Sequence, residues 1–125
     1  MSKGGFRELQ AWQKAKRLAI EIYRHTFEGE LGRDFALRDQ LRRAAISIAS
    51  NIAEGDERDT DREAVRFFYM AKGSVAELVT QLEIAEGIGY LSLDEFQRLE
   101  ESAEEVSRML RGLIRARSEQ QGENA

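Results

Sequence analysis

The sequence predicts an all-α protein with the architecture of an up-and-down antiparallel four-helix bundle. Its 125 residues contain no proline, the strongest helix breaker. Ala, Leu, Glu, Arg and Gln, which all favour helices, dominate the composition. Apolar residues recur at three- and four-residue spacing in segments that short connections separate. We therefore predict one domain over residues 1–125, with helices at about 7–27, 34–55, 61–87 and 93–118 and a frayed C-terminal tail.

Composition also limits the classes of function. The chain has no cysteine, which excludes disulfides, thiolate metal sites and cysteine nucleophiles. It shows no signal peptide and no apolar run of the roughly 18 residues that a membrane span needs, so we expect a cytoplasmic protein without a membrane partner. The formal charge of −4 argues against a general nucleic-acid binder, although basic side chains are concentrated in residues 1–27.

The first predicted helix has an apolar face and a basic stripe. The apolar face includes Leu9, Trp12, Ala15, Ala19, Ile22 and Tyr23. The stripe is a candidate nucleic-acid contact, although such stripes are more often solvated outer faces of bundle helices. His25, the only histidine, is interpreted as a surface residue, because nothing places further metal ligands beside it. The stripe consists of Arg7, Lys14, Arg17 and Arg24.

The second predicted helix carries two stripes side by side. Its apolar stripe, Leu41, Ala44, Ala45, Ile48 and Ile52, faces the predicted core. The acidic segment DERDTDRE that follows lacks the ligand pattern of a calcium loop and is interpreted as a solvated turn. The polar stripe beside the apolar one consists of Gln40, Arg43, Ser47, Asn51 and Glu54.

The third predicted helix begins after Thr60, which has capping-box spacing to Glu63. Its inward face is predicted as Ala64, Phe67, Ala71, Val75, Leu78, Leu82 and Ala85. The segment FFYM, residues 67–70, sweeps around most of the helix, so some of its side chains should meet another surface. Together with the second edge of the preceding helix, it gives the candidate oligomer interface: Ile46, Ala49, Ala53, Phe68, Tyr69 and Met70.

Antiparallel packing of the second and third helices would bring two polar edges together. One register places Arg43 opposite Glu77 and Ser47 opposite Ser74. Such a network would either fix helix register or form a ligand or RNA pocket, and the structural role is the favoured interpretation. The predicted network comprises Gln40, Arg43, Ser47, Asn51, Glu54, Ser74 and Glu77.

The fourth predicted helix begins at a capping box formed by Ser92 and Glu95. Its apolar residues form a bundle seam of Phe96, Leu99, Ala103, Val106, Leu110 and Leu113. We predict no catalytic residue, cofactor or metal in this chain. A di-iron bundle needs paired Glu-x-x-His motifs, and a serine nucleophile needs a positioned base. The chain has one histidine and neither arrangement.

The segments RELQAWQKAKRLAIEIYRHT, QLRRAAISIASNIAEGDER and EAVRFFYMAKGSVAELVTQLEIAEGIGYL resemble the four-helix bundle proteins encoded in intervening sequences of bacterial 23S rRNA genes. That family is similar to the accessory variability protein of diversity-generating retroelements, which works with a reverse transcriptase and binds nucleic acid. The resemblance implies homopentamers and no catalytic role. The residues that match the family pattern are Gln40, Arg43, Ser47, Asn51, Glu54, Gly55, Gly73, Ser74 and Glu77.

We therefore expect a non-enzymatic, oligomeric scaffold or accessory protein that associates with RNA or with an RNA-processing partner such as a reverse transcriptase. The alternative is a direct nucleic-acid-binding protein that uses the basic stripe of the first helix. A small hydrolase or metalloprotein is the distant third interpretation.

Overall fold

The structure, a computed structural model, describes the backbone of residues 4–124 and the side chains of residues 4–119. The described part of the chain is helical and contains no strand. A 3-10 turn at Phe6–Glu8 precedes the α-helices. These are α1 (Gln10–His25), α2 (Gly29–Arg33), α3 (Phe35–Asp56), α4 (Asp61–Gly87) and α5 (Leu93–Asn124).

The four long helices form a bundle in which α1 packs against α3 and α5, and α4 also packs against α3 and α5. Cross-helix contacts show that neighbouring helices run in opposite directions. Thr26 at the end of α1 meets Arg42 near the start of α3, and Ser47 of α3 meets Ser74 of α4. Lys14 and His25 of α1 meet Glu105 and Glu95 of α5, in reversed order. The predicted all-α fold class is therefore confirmed.

Side-chain caps determine where the later helices begin. The Thr60 hydroxyl accepts a hydrogen bond from the Glu63 N–H at 3.2 Å. Ser92 and Glu95 form a reciprocal capping box, with bonds of 3.1 Å to the serine hydroxyl and 3.0 Å to the carboxylate. The hydrogen bonds from Ser92, with a smaller contribution from His25, lower the pKa of the Glu95 carboxyl. These caps explain why α4 and α5 begin at the predicted residues.

The ends of the other helices differ from the prediction. Residues 28–33, expected to be a loop, contain α2, which buries Leu31. Arg7 belongs to the 3-10 turn rather than to α1. The last helix continues past residue 118 to Asn124. The side chains of 120–125 lie outside the described residues, so fraying of the tail stays a prediction.

The core-facing side of α4 differs from the prediction at one position. Phe68 is fully buried, whereas Phe67 is half-buried beneath the Arg58 guanidinium, 4.3 Å from its ring. Phe68 therefore belongs to the core, and its assignment to an oligomer interface is wrong. A Cβ at Gly55 of α3 would lie 2.8 Å from the Phe68 ring, so glycine permits this close packing. A similar offset occurs in α5, where Ile114 is more deeply buried than Leu113.

A buried ion pair ties α5 to the α3–α4 connection. Arg117 Nη2 lies 2.7 Å from Asp56 Oδ1, and Arg117 Nη1 lies 3.5 Å from Asp61 Oδ1. Asp56 has no exposed surface, and Arg117 is 8 % exposed. The segment DERDTDRE is therefore not wholly a solvated turn, because its first residue, Asp56, ends α3 and is enclosed by the bundle.

Candidate functional site

An open apolar groove of about 650 Å³ lies between α1 and α3. We call it the α1–α3 groove. Three of its large apolar side chains are well exposed: Ile20 (41 %), Ile46 (45 %) and Phe27 (69 %). Its lining consists of Phe6, Trp12, Lys16, Ala19, Ile20, Tyr23, Arg24, Phe27, Ile46, Ala49, Ser50 and Ala53.

The groove follows from the side chains on the facing edges of the two helices. On α1, Ala15, Leu18 and Ile22 enter the core, which leaves larger residues such as Trp12 and Tyr23 at the edge. On α3, the edge towards α1 carries Ala49, Ser50 and Ala53, which are too small to fill the space opposite. Aromatic walls and a small-residue floor therefore leave a concave apolar surface.

Arg42 holds one end of the groove together. Its Nε and Nη2 atoms donate to the Thr26 hydroxyl and carbonyl oxygens at 2.9 and 3.1 Å. Its guanidinium carbon also lies 4.4 Å from the ring centre of Tyr23 and 5.7 Å from that of Phe27. Arg42 thus fixes the last turn of α1 to α3 through hydrogen bonds and cation–π contacts. The sequence does not reveal this role of Arg42, because Thr26 lies 16 positions away and no local motif links the two residues.

Packing of Phe6 against Trp12 forms the other end of the groove. The two rings meet edge to face, with centroids 5.1 Å apart. The Lys16 ammonium lies 5.6 Å from the Trp12 ring. The groove therefore has an apolar interior and a cation beside each end, because Arg24 also contributes to its lining.

The predicted oligomer residues occupy different surfaces of the protein. Ile46, Ala49 and Ala53 all line the groove. Tyr69 and Met70 are 57 % and 48 % exposed on α4. Met70 lies one helical turn before Ser74, on the edge of α4 that faces α3, whereas Tyr69 is about 100° further round the helix. The structure thus brings three of the six predicted residues together and separates the others.

The predicted basic stripe is interrupted by contacts within the chain. Lys14 Nζ lies 3.0 Å from Glu105 of α5, and Arg24 Nη1 lies 2.8 Å from Glu21. The Arg7 guanidinium stacks 4.7 Å from the Phe6 ring. Arg17 is exposed and forms no ion pair with any described residue. The four cations are therefore not a continuous array of free charges.

The predicted polar network forms in part, between α3 and α4. The Ser47 and Ser74 hydroxyls lie 2.9 Å apart, and the Asn51 amide donates to the Ser47 hydroxyl and carbonyl. The expected pair of Arg43 and Glu77 does not form within the described chain, since both side chains are exposed and no ion pair joins them. The outer positions Gln40 and Glu54 are likewise exposed. We call the hydrogen-bonded part, Ser47, Asn51 and Ser74, the α3–α4 seam.

His25 lies in a shallow pocket at the same end of the bundle as Arg42. Its Nδ1 atom is 3.4 Å from Glu95 and its Nε2 atom 4.0 Å from Glu21. No group of three or more histidine or acidic side chains within the described region is arranged to hold a metal ion. The seam serines have Asn51 rather than a histidine beside them, so the described chain offers them no general base.

No helix among the described residues combines the length and apolar character needed to cross a membrane. The described part of the chain is thus an all-helical bundle with an open apolar groove between α1 and α3. A sequence profile described as 23S rRNA-intervening sequence protein matches residues 7–112. The chain therefore belongs to the 23S rRNA-intervening sequence protein family.

A solved structure supports the same fold. A crystal structure of a protein of unknown function from the S23 ribosomal protein family of Bacteroides thetaiotaomicron superposes with a TM-score of 0.76. The alignment covers 83 % of this chain and 97 % of that chain, at 19 % sequence identity. No curated protein matches the chain significantly. At this identity, the likeness supports the bundle architecture alone.

Proposed function

We propose that this protein is a non-enzymatic bundle that assembles with further copies of itself and acts as a scaffold or accessory protein for RNA or an RNA-processing partner. The observation that carries the proposal is the α1–α3 groove. A monomeric protein rarely exposes a large contiguous apolar surface, because such a patch favours association. Here aromatic and branched side chains of two helices are exposed side by side.

Burial of the exposed groove side chains would favour self-association. Burial of a large apolar side chain contributes roughly 1.5–3 kcal/mol. Ile20, Phe27 and Ile46 are each at least 41 % exposed, so a partner would remove much of their surface from water. Repetition of one heterologous contact around a cyclic axis closes an assembly. The family resemblance favours a homopentamer.

Measurement of the assembled mass tests this proposal. Light scattering at micromolar concentration should give about five times the 14.3 kDa chain mass. Ile46→Asp should lower that mass, because it places a charge on the groove, while helical circular dichroism is retained. Leu93→Asp is the matched control, since Leu93 is also exposed but does not line the groove. A monomeric unmodified chain would overturn the proposal.

The link to RNA rests on the family description, which names an intervening sequence of 23S rRNA. The net charge of −4 disfavours broad contact with phosphates, so a protein partner or a small RNA contact fits the chain better. A reverse transcriptase is the kind of RNA-processing partner that the family resemblance implies. Co-expression followed by affinity purification should retain such a partner with the unmodified chain and lose it when assembly is abolished by Ile46→Asp.

The second candidate function is direct binding of nucleic acid through Arg17 and Arg24, whose side chains are exposed on α1. Phosphate contacts release counterions, so binding should weaken steeply as salt rises. Arg17→Glu combined with Arg24→Glu should weaken binding to all sequences alike. Binding that does not depend on salt, or no binding at low salt, would reject this candidate.

A further inference from the structure

The exposed edge of α4 that faces α3 carries apolar side chains and a carboxylate, whereas the α1–α3 groove carries small apolar residues and a cation. Met70 and Ile84 are 48 % and 49 % exposed on this edge, with the exposed Glu77 midway between them. Their seven-residue spacing places all three along nearly the same line of the helix. The groove offers a small-residue floor and a cation, Arg24, at its rim.

We propose that Met70 of one copy inserts between Ala49 and Ala53 of the next copy, while Glu77 pairs with the neighbour's Arg24, in a closed ring whose axis runs along the helices. The proposal rests on the self-assembly argued above and names the two surfaces that meet. It assigns α3 to the inner side of the ring.

The height of each side chain along the bundle supports this register. A closed cyclic assembly is a pure rotation, so a residue keeps its height when it meets the neighbouring copy. The contact of Ser47 with Ser74 fixes α3 against α4. Because these helices are antiparallel, Met70, one turn before Ser74, lies level with Asn51, one turn after Ser47. At that height the groove floor consists of Ala49, Ser50 and Ala53.

Glu77 and Arg24 also lie at the same height along the bundle. Glu77 lies three residues after Ser74 and is therefore level with Ala44 of α3. The contact of Arg42 with Thr26 fixes α1 against α3, and Arg24, two residues before Thr26, is also level with Ala44. The same rotation that places Met70 over the alanine floor thus places Glu77 beside Arg24. The existing partner of Arg24, Glu21, is an exposed contact that holds it only weakly.

The angle between the groove and the Met70 edge also favours a closed ring. The groove lies on the α1–α3 face, and Met70 flanks the adjacent α3–α4 face. Adjacent faces of a square bundle are about 90° apart, an angle that closes a ring after about four or five copies. The shared helix α3 then faces the axis, so its exposed polar residues Arg43 and Glu54 border the central opening. An interface through Tyr69 would instead use the α4–α5 side, opposite the groove, and would favour open filaments.

Disulfide cross-linking tests the register without background, because the chain contains no cysteine. Oxidised Ala49→Cys/Met70→Cys protein should give a ladder of covalent oligomers on a denaturing, non-reducing gel, ending at the ring size. The matched control is Ala49→Cys/Tyr69→Cys, whose second cysteine has nearly the same height but points elsewhere. We expect about tenfold less cross-linking from the control, because disulfides require Cα atoms within about 7 Å.

Charge reversal supplies a second measurement that does not alter Met70. Arg24→Glu and Glu77→Arg should each shift the scattering mass towards 14.3 kDa, and the double variant should restore the assembled mass. An assembled chain that forms no Ala49–Met70 ladder, cross-links equally at Tyr69, or shows no rescue overturns the proposed register while self-assembly stands. A monomeric unmodified chain overturns self-assembly itself.

Discussion

Helix α3 has two flanks that differ in how completely they are packed. Towards α4, its hydroxyl and amide groups form the α3–α4 seam, and Gly55 lets the Phe68 ring approach the backbone. Towards α1, Ala49 and Ala53 face an open groove instead. Both flanks are rich in small residues. Small residues therefore permit close packing only where the partner helix supplies a side chain that fills the space.

This comparison predicts that the two flanks contribute unequally to folding. The aromatic neighbours Phe68 and Tyr69 give the largest expected contrast. Phe68→Ala should lower the free energy of unfolding by about 3–5 kcal/mol, because it leaves a cavity beside Gly55. Tyr69→Ala should change it by about 0.5 kcal/mol or less, because the side chain is 57 % exposed. Chemical denaturation of both variants measures the difference, and equal losses would contradict the core assignment.

The next contrast uses two isoleucines of α3 itself. Ile48 is fully buried, whereas Ile46 is 45 % exposed in the groove. Ile48→Ala should cost about 2–5 kcal/mol of folding free energy, and Ile46→Ala much less in the unassembled chain. Denaturant titrations at the lowest practical protein concentration separate folding from assembly. If Ile46→Ala proved as costly as Ile48→Ala there, the groove would belong to the folded core.

Two glycines should respond to alanine with opposite signs. At Gly55 the new methyl group would meet the Phe68 ring at 2.8 Å, so Gly55→Ala should destabilise by about 1–3 kcal/mol. At Gly73, within α4, nothing lies within 4 Å of the added Cβ, and Gly73→Ala should stabilise by about 0.4–1 kcal/mol. Thermal melts of the two variants are the measurement. Stabilisation by both substitutions would mean that helix propensity, rather than close packing, controls both positions.

The smallest expected effect distinguishes the buried and exposed parts of the polar network. A double-mutant cycle on Ser47→Ala and Ser74→Ala should give a coupling of about 0.5–1.5 kcal/mol, because the two hydroxyls share a hydrogen bond. The same cycle on Arg43→Ala and Glu77→Ala should give a coupling near zero in the unassembled chain, because both residues are exposed and unpaired with each other. Coupling between Arg43 and Glu77, without coupling between Ser47 and Ser74, would contradict this assignment of paired and unpaired residues.

Local sequence signals predicted the parts of the fold that depend on neighbouring residues. The capping contacts of Thr60 and Ser92 identified the starts of α4 and α5, because cap and partner are three residues apart. The inward face of α4 was also correct except at one position. The sequence run FFYM offers two adjacent phenylalanines, and the 3-4 spacing through Ala64 and Ala71 is satisfied by Phe68 as well as by Phe67. Packing against Gly55 selects Phe68.

Contacts between distant residues were not predictable by the same reasoning. The register of Ser47 with Ser74 was predicted, because one short connection joins their helices and fixes the count. Two contacts could not be predicted: that of Arg42 with Thr26 and that of Asp56 with Arg117. Charged residues near helix ends are ordinarily solvated, and the sequence does not show which of them become enclosed. The groove itself was not predicted. Its α3 residues Ile46, Ala49 and Ala53 were expected at an oligomer interface, whereas its α1 residues fit the apolar periodicity of that helix and so gave no sign of exposure.

The ion pair between Asp56 and Arg117 has a consequence for the order in which the protein matures during synthesis. The two residues are 61 positions apart, and Arg117 leaves the ribosome after every residue of α1, α3 and α4. A nascent chain that has already paired these three helices still lacks the Arg117 guanidinium, which lies 2.7 Å from the Asp56 carboxylate in the folded bundle. Loss of one partner of a buried ion pair is unfavourable. The contact between the end of α3 and α5 therefore forms only after Arg117 has left the ribosome.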